Sequence, residues 1–115
     1  PVTARKTGSY HFSGSWSVKL FKAGFHTNHV HPEGWLSMCT YLSVPEQVSA
    51  DDPDKKGWIK FGETSLGLEG KEQIDKAVCP QPGMCVIFPS YCWHGTIPFD
   101  ADDERITIPC DIMPS

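Results

Sequence analysis

The stretch Phe25-His26-Thr27-Asn28-His29-Val30-His31-Pro32-Glu33-Gly34-Trp35 decides how this chain is read. Side chains of an extended strand alternate faces with a period of two. His29 and His31 then share one face with Phe25 and Thr27, while His26, Asn28 and Val30 take the other. Two imidazoles on one face can converge on a point in front of a sheet, and neutral imidazole is a common ligand of transition metals. Pro32-Glu33-Gly34 reads as a turn that ends the strand, proline fixing φ and glycine allowing it to be positive. A third histidine, His94, stands far downstream in Pro89-Ser90-Tyr91-Cys92-Trp93-His94-Gly95. The expected site is a metal centre of His29, His31 and His94, with the remainder of the chain as its scaffold.

Outward from that stretch the same period recurs. Residues 15–22 alternate, with Trp16, Val18 and Leu20 opposed to Ser17, Lys19 and Phe21, and read as a half-buried strand. Residues 35–44 form a longer strand, rich in strand formers at Tyr41-Leu42-Ser43-Val44. A polar loop over 45–56 carries Asp51, Asp52, Asp54, Lys55 and Lys56. Gly57-Trp58-Ile59-Lys60-Phe61-Gly62 is a short strand, and 63–76 reads as a loop. Pro80-Gln81-Pro82-Gly83 turns into Met84-Cys85-Val86-Ile87-Phe88, an apolar run suited to a fully buried strand. An acidic turn over 100–104 precedes the last strand, 105–112, in which Arg105, Thr107 and Pro109 alternate with Ile106, Ile108 and Cys110. Residues 1–13 are an unpatterned lead-in. Seven or eight short strands and no helix predict an all-β sandwich or barrel. A small jelly roll of this kind encloses a cavity able to hold a ligand.

The chain of 115 residues is read as one domain, 1–115, long enough to bury a core without staples. A formal net charge of −4 gives no basic footprint, so nucleic acid is not an expected partner. No apolar run approaches the roughly 20 residues of a membrane span. No signal peptide is visible, and the chain begins at Pro1, so it is read as a candidate fragment whose missing part would carry any targeting segment or further domain. Its five cysteines, Cys39, Cys79, Cys85, Cys92 and Cys110, are odd in number and include no C-x-x-C pair. That favours reduced thiols and a cytoplasmic location over a disulfide framework. Cys39 and Cys85, inside strand-like runs, are expected to be small buried hydrophobes.

Three ligands from two strands leave other positions on a metal open, as non-haem iron oxygenases require; a structural zinc site would fill all four. Arg105 extends the argument. Its planar guanidinium binds a carboxylate through two parallel hydrogen bonds, and Thr107, on the same strand face, can add a hydroxyl. The bland alternative is a surface arginine paired with Glu104 or Asp103. Tyr41 could donate a hydrogen bond to a bound oxo-acid, or be an ordinary strand tyrosine. Asn28 and Ser37 are candidates to orient the ligands. His26 falls on the opposite strand face, and His11 is expected in solvent. The four tryptophans read as core or cavity wall, with Trp35 and Trp93 flanking the histidines.

With Arg105-x-Thr107 following His94 on the next strand, and an upstream H-x-acceptor pair, the chain resembles the Fe(II)- and 2-oxoglutarate-dependent oxygenases. The blocks His29-Val30-His31-Pro32-Glu33-Gly34-Trp35-Leu36-Ser37 and Phe88-Pro89-Ser90-Tyr91-Cys92-Trp93-His94-Gly95 resemble a bacterial and phage branch sometimes fused behind tetratricopeptide repeats. The resemblance covers roughly residues 12 to 113. It implies a double-stranded β-helix (a cupin-like jelly roll), an Fe(II) site, and 2-oxoglutarate held by Arg105. The family's usual triad is two histidines and a carboxylate two residues after the first. Here His31 takes that place if His29 is the first ligand; the register His31-Pro32-Glu33 would restore a carboxylate. The turn at Pro32 favours His29 and His31. The expected function is a dioxygenase that decarboxylates 2-oxoglutarate to succinate and hydroxylates a substrate, a small molecule or a peptide or protein. The rivals are a three-histidine cupin-type dioxygenase without oxo-acid and an inert jelly-roll binding module. A strand edge could support a homodimer.

Overall fold

The computed structural model describes residues 2–15, 18–20, 28–31, 34–64, 66, 72–100 and 104–115. After a 3-10 turn at Val2–Arg5, the regular structure there is all strand. The strands are β1 (Tyr10–Ser15), β2 (Val18–Leu20), β3 (Leu36–Ser43), β4 (Ile59–Phe61), β5 (Lys76–Val78), β6 (Cys85–Pro89), β7 (His94–Thr96) and β8 (Arg105–Pro114). They pair antiparallel in two sheets. The larger runs β1-β8-β3-β6, with β2 also on β8; the smaller runs β5-β4-β7. A cavity lies between them, lined by β3, β6 and β8 on one side and β4 and β7 on the other. This is the jelly roll that the strand count predicts.

The long strands β3 and β8 form the centre of the larger sheet. Their register sets Ser37 opposite Asp111, Cys39 opposite Pro109 and Tyr41 opposite Thr107. Between these pairs, Met38 meets Cys110 and Thr40 meets Ile108. Because side chains alternate, the first set faces the cavity and the second is turned to the other face, although Met38 and Cys110 also reach the cavity lining. The cavity walls accordingly include Ser37, Cys39, Tyr41, Arg105, Thr107 and Asp111. Across the cavity Phe61 of β4 meets Phe88 of β6 edge to face, centroids 5.1 Å apart.

Several expectations need correction. Part of the lead-in is ordered: β1 zips onto β8 from Tyr10↔Pro114 to Ser15↔Cys110, with an irregularity between Phe12 and Gly14. The lack of pattern follows from its place at a sheet edge, where even Tyr10 and Phe12 are exposed. The strand expected over 15–22 is seen in part, as the end of β1 and as β2; residues 16, 17, 21 and 22 lie outside the described residues. The loop expected over 63–76 ends in β5, whose three residues are too few to show a period. The run Met84–Phe88 is not a fully buried strand. Among the described residues β6 is an edge strand paired only with β3, and Cys85 and Ile87 are exposed while Phe88 is buried. Cys85 is therefore no buried hydrophobe, whereas Cys39 is partly covered.

The polar loop forms as expected. The Asp52 carboxylate accepts the backbone N–H groups of Asp54 (2.9 Å) and Lys56 (3.2 Å), and Gly57, at φ 79°, carries the chain into β4. Gly83, at φ 85°, makes the turn before β6. No helix among the described residues is long and apolar enough to cross a membrane.

Candidate functional site

His29, His31 and His94 meet at the cavity. His29 and His94 exchange backbone hydrogen bonds, N–H to C=O at 2.9 Å each way, as an isolated antiparallel bridge. The His31 N–H donates to the Ser90 carbonyl at 3.0 Å. The strand expected over 25–31 is thus reduced here to one bridge, and residues 25–27 lie outside the described residues. Its alternation nevertheless survives locally. The His29 ring centroid lies 5.1 Å from that of His31 and 4.1 Å from that of His94, and one nitrogen of each of the three lies within 4.8 Å of the others. Opposite ligands bound at about 2.1 Å stand about 4.2 Å apart. The three nitrogens are thus gathered on the scale of a ligating set.

Hydrogen bonds fix two of the tautomers. The Cys92 carbonyl can only accept, so His94 Nδ1, 3.0 Å away, carries the hydrogen and Nε2 keeps its lone pair. His31 Nδ1 donates in the same way to Asp111 Oδ2 at 3.1 Å. Both rings therefore offer Nε2 to a metal. Phe88 packs on His94 with centroids 4.6 Å apart, giving the site an apolar wall.

Asp111 escapes the sequence analysis. The signal was present: it continues the Arg105-Thr107-Pro109 alternation by one more step, onto the cavity face. Its Oδ1 accepts from Ser37 Oγ at 3.0 Å, and Ser37 Oγ lies 2.9 Å from Ser90 Oγ. Ser37 and Ser90 are buried. Ser37 thus does take part, through Asp111, whereas Asn28 donates to the Thr64 carbonyl at 3.3 Å and holds a loop. Gly34 serves this corner too. A Cβ there would collide with the Ser90 side chain, so close approach demands the glycine.

Arg105, on the first residue of β8, is only 2% exposed. That excludes the surface ion-pair reading. Its Nη2 donates to the Tyr41 hydroxyl at 3.3 Å, and its guanidinium lies over the Tyr41 ring, 5.0 Å from the centroid. Its Nε and Nη1 are buried without a hydrogen-bond partner. An unpaired guanidinium in such a place is costly, and an anion received there would offset the cost. Thr107 and Cys39 line the same end of the cavity. Burial pushes the Tyr41 hydroxyl well up from its ordinary range and also raises the Cys39 thiol, with Arg105 opposing in both cases. Both remain protonated, so the guanidinium carries the local charge.

Other candidates stand apart. His11 is exposed on β1, with Nδ1 2.6 Å from Ser115 Oγ. Trp35 donates Nε1 to the Val2 carbonyl at 2.7 Å, and Trp58 donates to the Ser49 carbonyl at 3.1 Å. Neither they nor Trp93 line the cavity. Trp16, His26, Pro32, Glu33 and Asp103 lie outside the described residues, and with them the alternative register.

A cavity between two antiparallel sheets, carrying three imidazoles and a buried unpaired arginine, has the makings of a jelly-roll metalloenzyme. Comparison with known proteins gives the particular family. The model described as "Putative 2OG-Fe(II) oxygenase" matches residues 14–111, and the chain belongs to that family. Among solved structures it is similar to an oxidoreductase of the 2OG-Fe(II) oxygenase family from Burkholderia pseudomallei, at TM-score 0.65 and 13% identity. That likeness covers 91% of this chain and 45% of the other, so the chain spans less than half its neighbour's length. KdgF from Halomonas sp. matches at TM-score 0.43 and 14% identity, over 88% of this chain and 77% of that one. No curated protein matches the chain.

Proposed function

We propose that the chain is a dioxygenase domain that binds Fe(II) through His29, His31 and His94 and holds 2-oxoglutarate through Arg105. The observation carrying this reading is Arg105: a buried guanidinium, two of its nitrogens unpartnered, in the same cavity as three converging imidazoles. Both groups fit the donors present. Nitrogen donors with positions left open suit Fe(II), and a fixed two-pronged cation suits a carboxylate. Together, Fe(II) and 2-oxoglutarate would let O₂ act as the oxidant, one oxygen atom entering succinate as carbon dioxide leaves and the other hydroxylating a substrate.

The chain's own residues bind, orient and exclude water. Arg105 would grip the distal carboxylate, and the Tyr41 ring and hydroxyl hold the guanidinium in place for it. Thr107 adds a neutral hydroxyl on the same face. Because Tyr41 and Cys39 stay protonated, they do not compete with the anion for Arg105. Phe88 and Ile59 keep the cavity dry, which strengthens each polar contact within it. The cytoplasmic location and the single domain over 1–115 belong to the same proposal.

One observation favours a second reading. Among the described residues the clustered donors are three imidazoles, with no carboxylate in the set. A three-histidine dioxygenase that binds its substrate directly on the metal would use Arg105 for a substrate carboxylate instead. Succinate formation separates the two. Protein supplied with Fe(II), ascorbate, oxygen and 2-oxoglutarate should form succinate, if only slowly without its substrate. Arg105→Ala should reduce the rate at least 10-fold, and His94→Ala should abolish it. Bound iron with no succinate would favour the second reading; no bound iron would overturn both.

A further inference from the structure

With two histidines and a carboxylate on Fe(II), the carboxylate brings a negative charge to the metal; with three neutral imidazoles, nothing bound to it does. The missing charge stands one bond further out. Asp111 faces the cavity from β8, and its Oδ2 accepts from His31 Nδ1 at 3.1 Å. We propose that Asp111 is the positioning residue of this centre: it fixes the His31 ring and supplies, through that imidazole, the charge that a ligating carboxylate would otherwise bring. The proposal rests on the metal reading above and adds a residue to it.

The surroundings of Asp111 are built for the purpose. A carboxylate free to rotate would orient nothing. Its second oxygen is held by Ser37 Oγ at 3.0 Å, directly across the β3–β8 ladder, and Ser37 Oγ is in turn 2.9 Å from Ser90 Oγ. Ser90 also holds the other end of His31, its carbonyl accepting the His31 backbone N–H at 3.0 Å. One small network thus fixes both the backbone and the ring of a single histidine. The absence of a side chain at Gly34 lets Ser90 close it. A carboxylate on the far nitrogen of an imidazole raises its basicity and fixes its tautomer. At His94 the Nδ1 acceptor is the neutral Cys92 carbonyl, whereas at His31 it is a carboxylate.

Co(II) binding to the full chain tests this without turnover, by calorimetry and by the visible bands of the bound ion. Asp111→Asn keeps an acceptor for His31 and removes the charge; it should weaken Co(II) about 10- to 100-fold and shift the bands. Ser37→Ala frees one carboxylate oxygen and should cost about threefold, in the range of one lost hydrogen bond. Thermal midpoints of the metal-free proteins show that each variant is folded. The decisive comparison is His31→Ala with and without Asp111→Asn. If Asp111 acts through His31, the double variant binds Co(II) as weakly as His31→Ala alone. Multiplying losses would overturn the proposal, as would an Asp111→Asn variant that binds like the parent. A parent that fails to bind Co(II) would overturn the metal reading, a distinct result that removes the proposal with it.

Discussion

The two faces of the larger sheet are made by the same strands and differ in almost every respect. Toward the cavity, β3 and β8 present Ser37, Cys39, Tyr41, Arg105, Thr107 and Asp111; Thr40, Leu42, Ile106 and Ile108 lie on the other face, and Met38 and Cys110, of that same parity, reach the cavity lining as well. The enclosed face is the polar one. A sheet selected for stability alone would bury its isoleucines and expose its arginine. Here the arginine is 2% exposed while Leu42 is 54% exposed, an arrangement that costs stability and that the proposed binding of an anion would offset.

That contrast can be broken most forcefully within one strand. Phe88 and Ile87 are neighbours on β6 with opposite faces, 8% and 57% exposed. Phe88→Ala should cost about 3–5 kcal/mol, and Ile87→Ala no more than about 1 kcal/mol, in denaturant unfolding. Equal losses would mean that the outer face is covered as well.

Next in size is a change that should stabilise. Arg105→Met removes a buried charge whose Nε and Nη1 lack partners and keeps much of its volume. The metal-free protein should gain about 1–3 kcal/mol, by the cost of leaving such groups unsatisfied, and should lose 2-oxoglutarate binding. A variant less stable than the parent would show that the guanidinium contributes to the fold and is not held there for a ligand.

The smallest expected effect is a difference in thiol labelling. Cys85 lies on the outer face and is exposed; Cys39 faces the cavity, and burial there raises its pKa. Because the thiolate is the reacting species, a raised pKa lowers reactivity at a given pH. Iodoacetamide at pH 8 should label Cys85 well before Cys39, followed by mass spectrometry of digests. Raising the pH toward 10 should narrow the gap. Faster labelling of Cys39 would mean that the cavity is open to solvent.

What the sequence revealed follows from where a period could show. β3 and β8 are long enough for alternation to be read; Arg105 and Thr107 share a face by that alternation, and the register adds Tyr41 beside them, a placement the sequence left open. The H-x-H pair shares a side even though a single bridge holds it, because two residues suffice to set parity. β5 and β7, of three residues each, leave too little pattern. The apolar run of β6 reads as a buried strand because sequence does not show that, among the described residues, β6 has a partner on one side only. Asp111 is the instructive miss. Its parity was legible, but its role depends on a cross-strand neighbour, Ser37, and on a histidine 80 residues away. Such partners are set by register, which a single strand does not reveal.

The central claim is that the enclosed face binds an oxo-acid on a histidine-bound metal. Its most direct test is an anaerobic optical titration of the Fe(II)-loaded protein with 2-oxoglutarate, beside Arg105→Ala. The account predicts a visible charge-transfer band that saturates with the oxo-acid in the parent and is lost, or needs far higher concentrations, in the variant. Confirmed iron binding with no such band, or a band indifferent to Arg105, would contradict it.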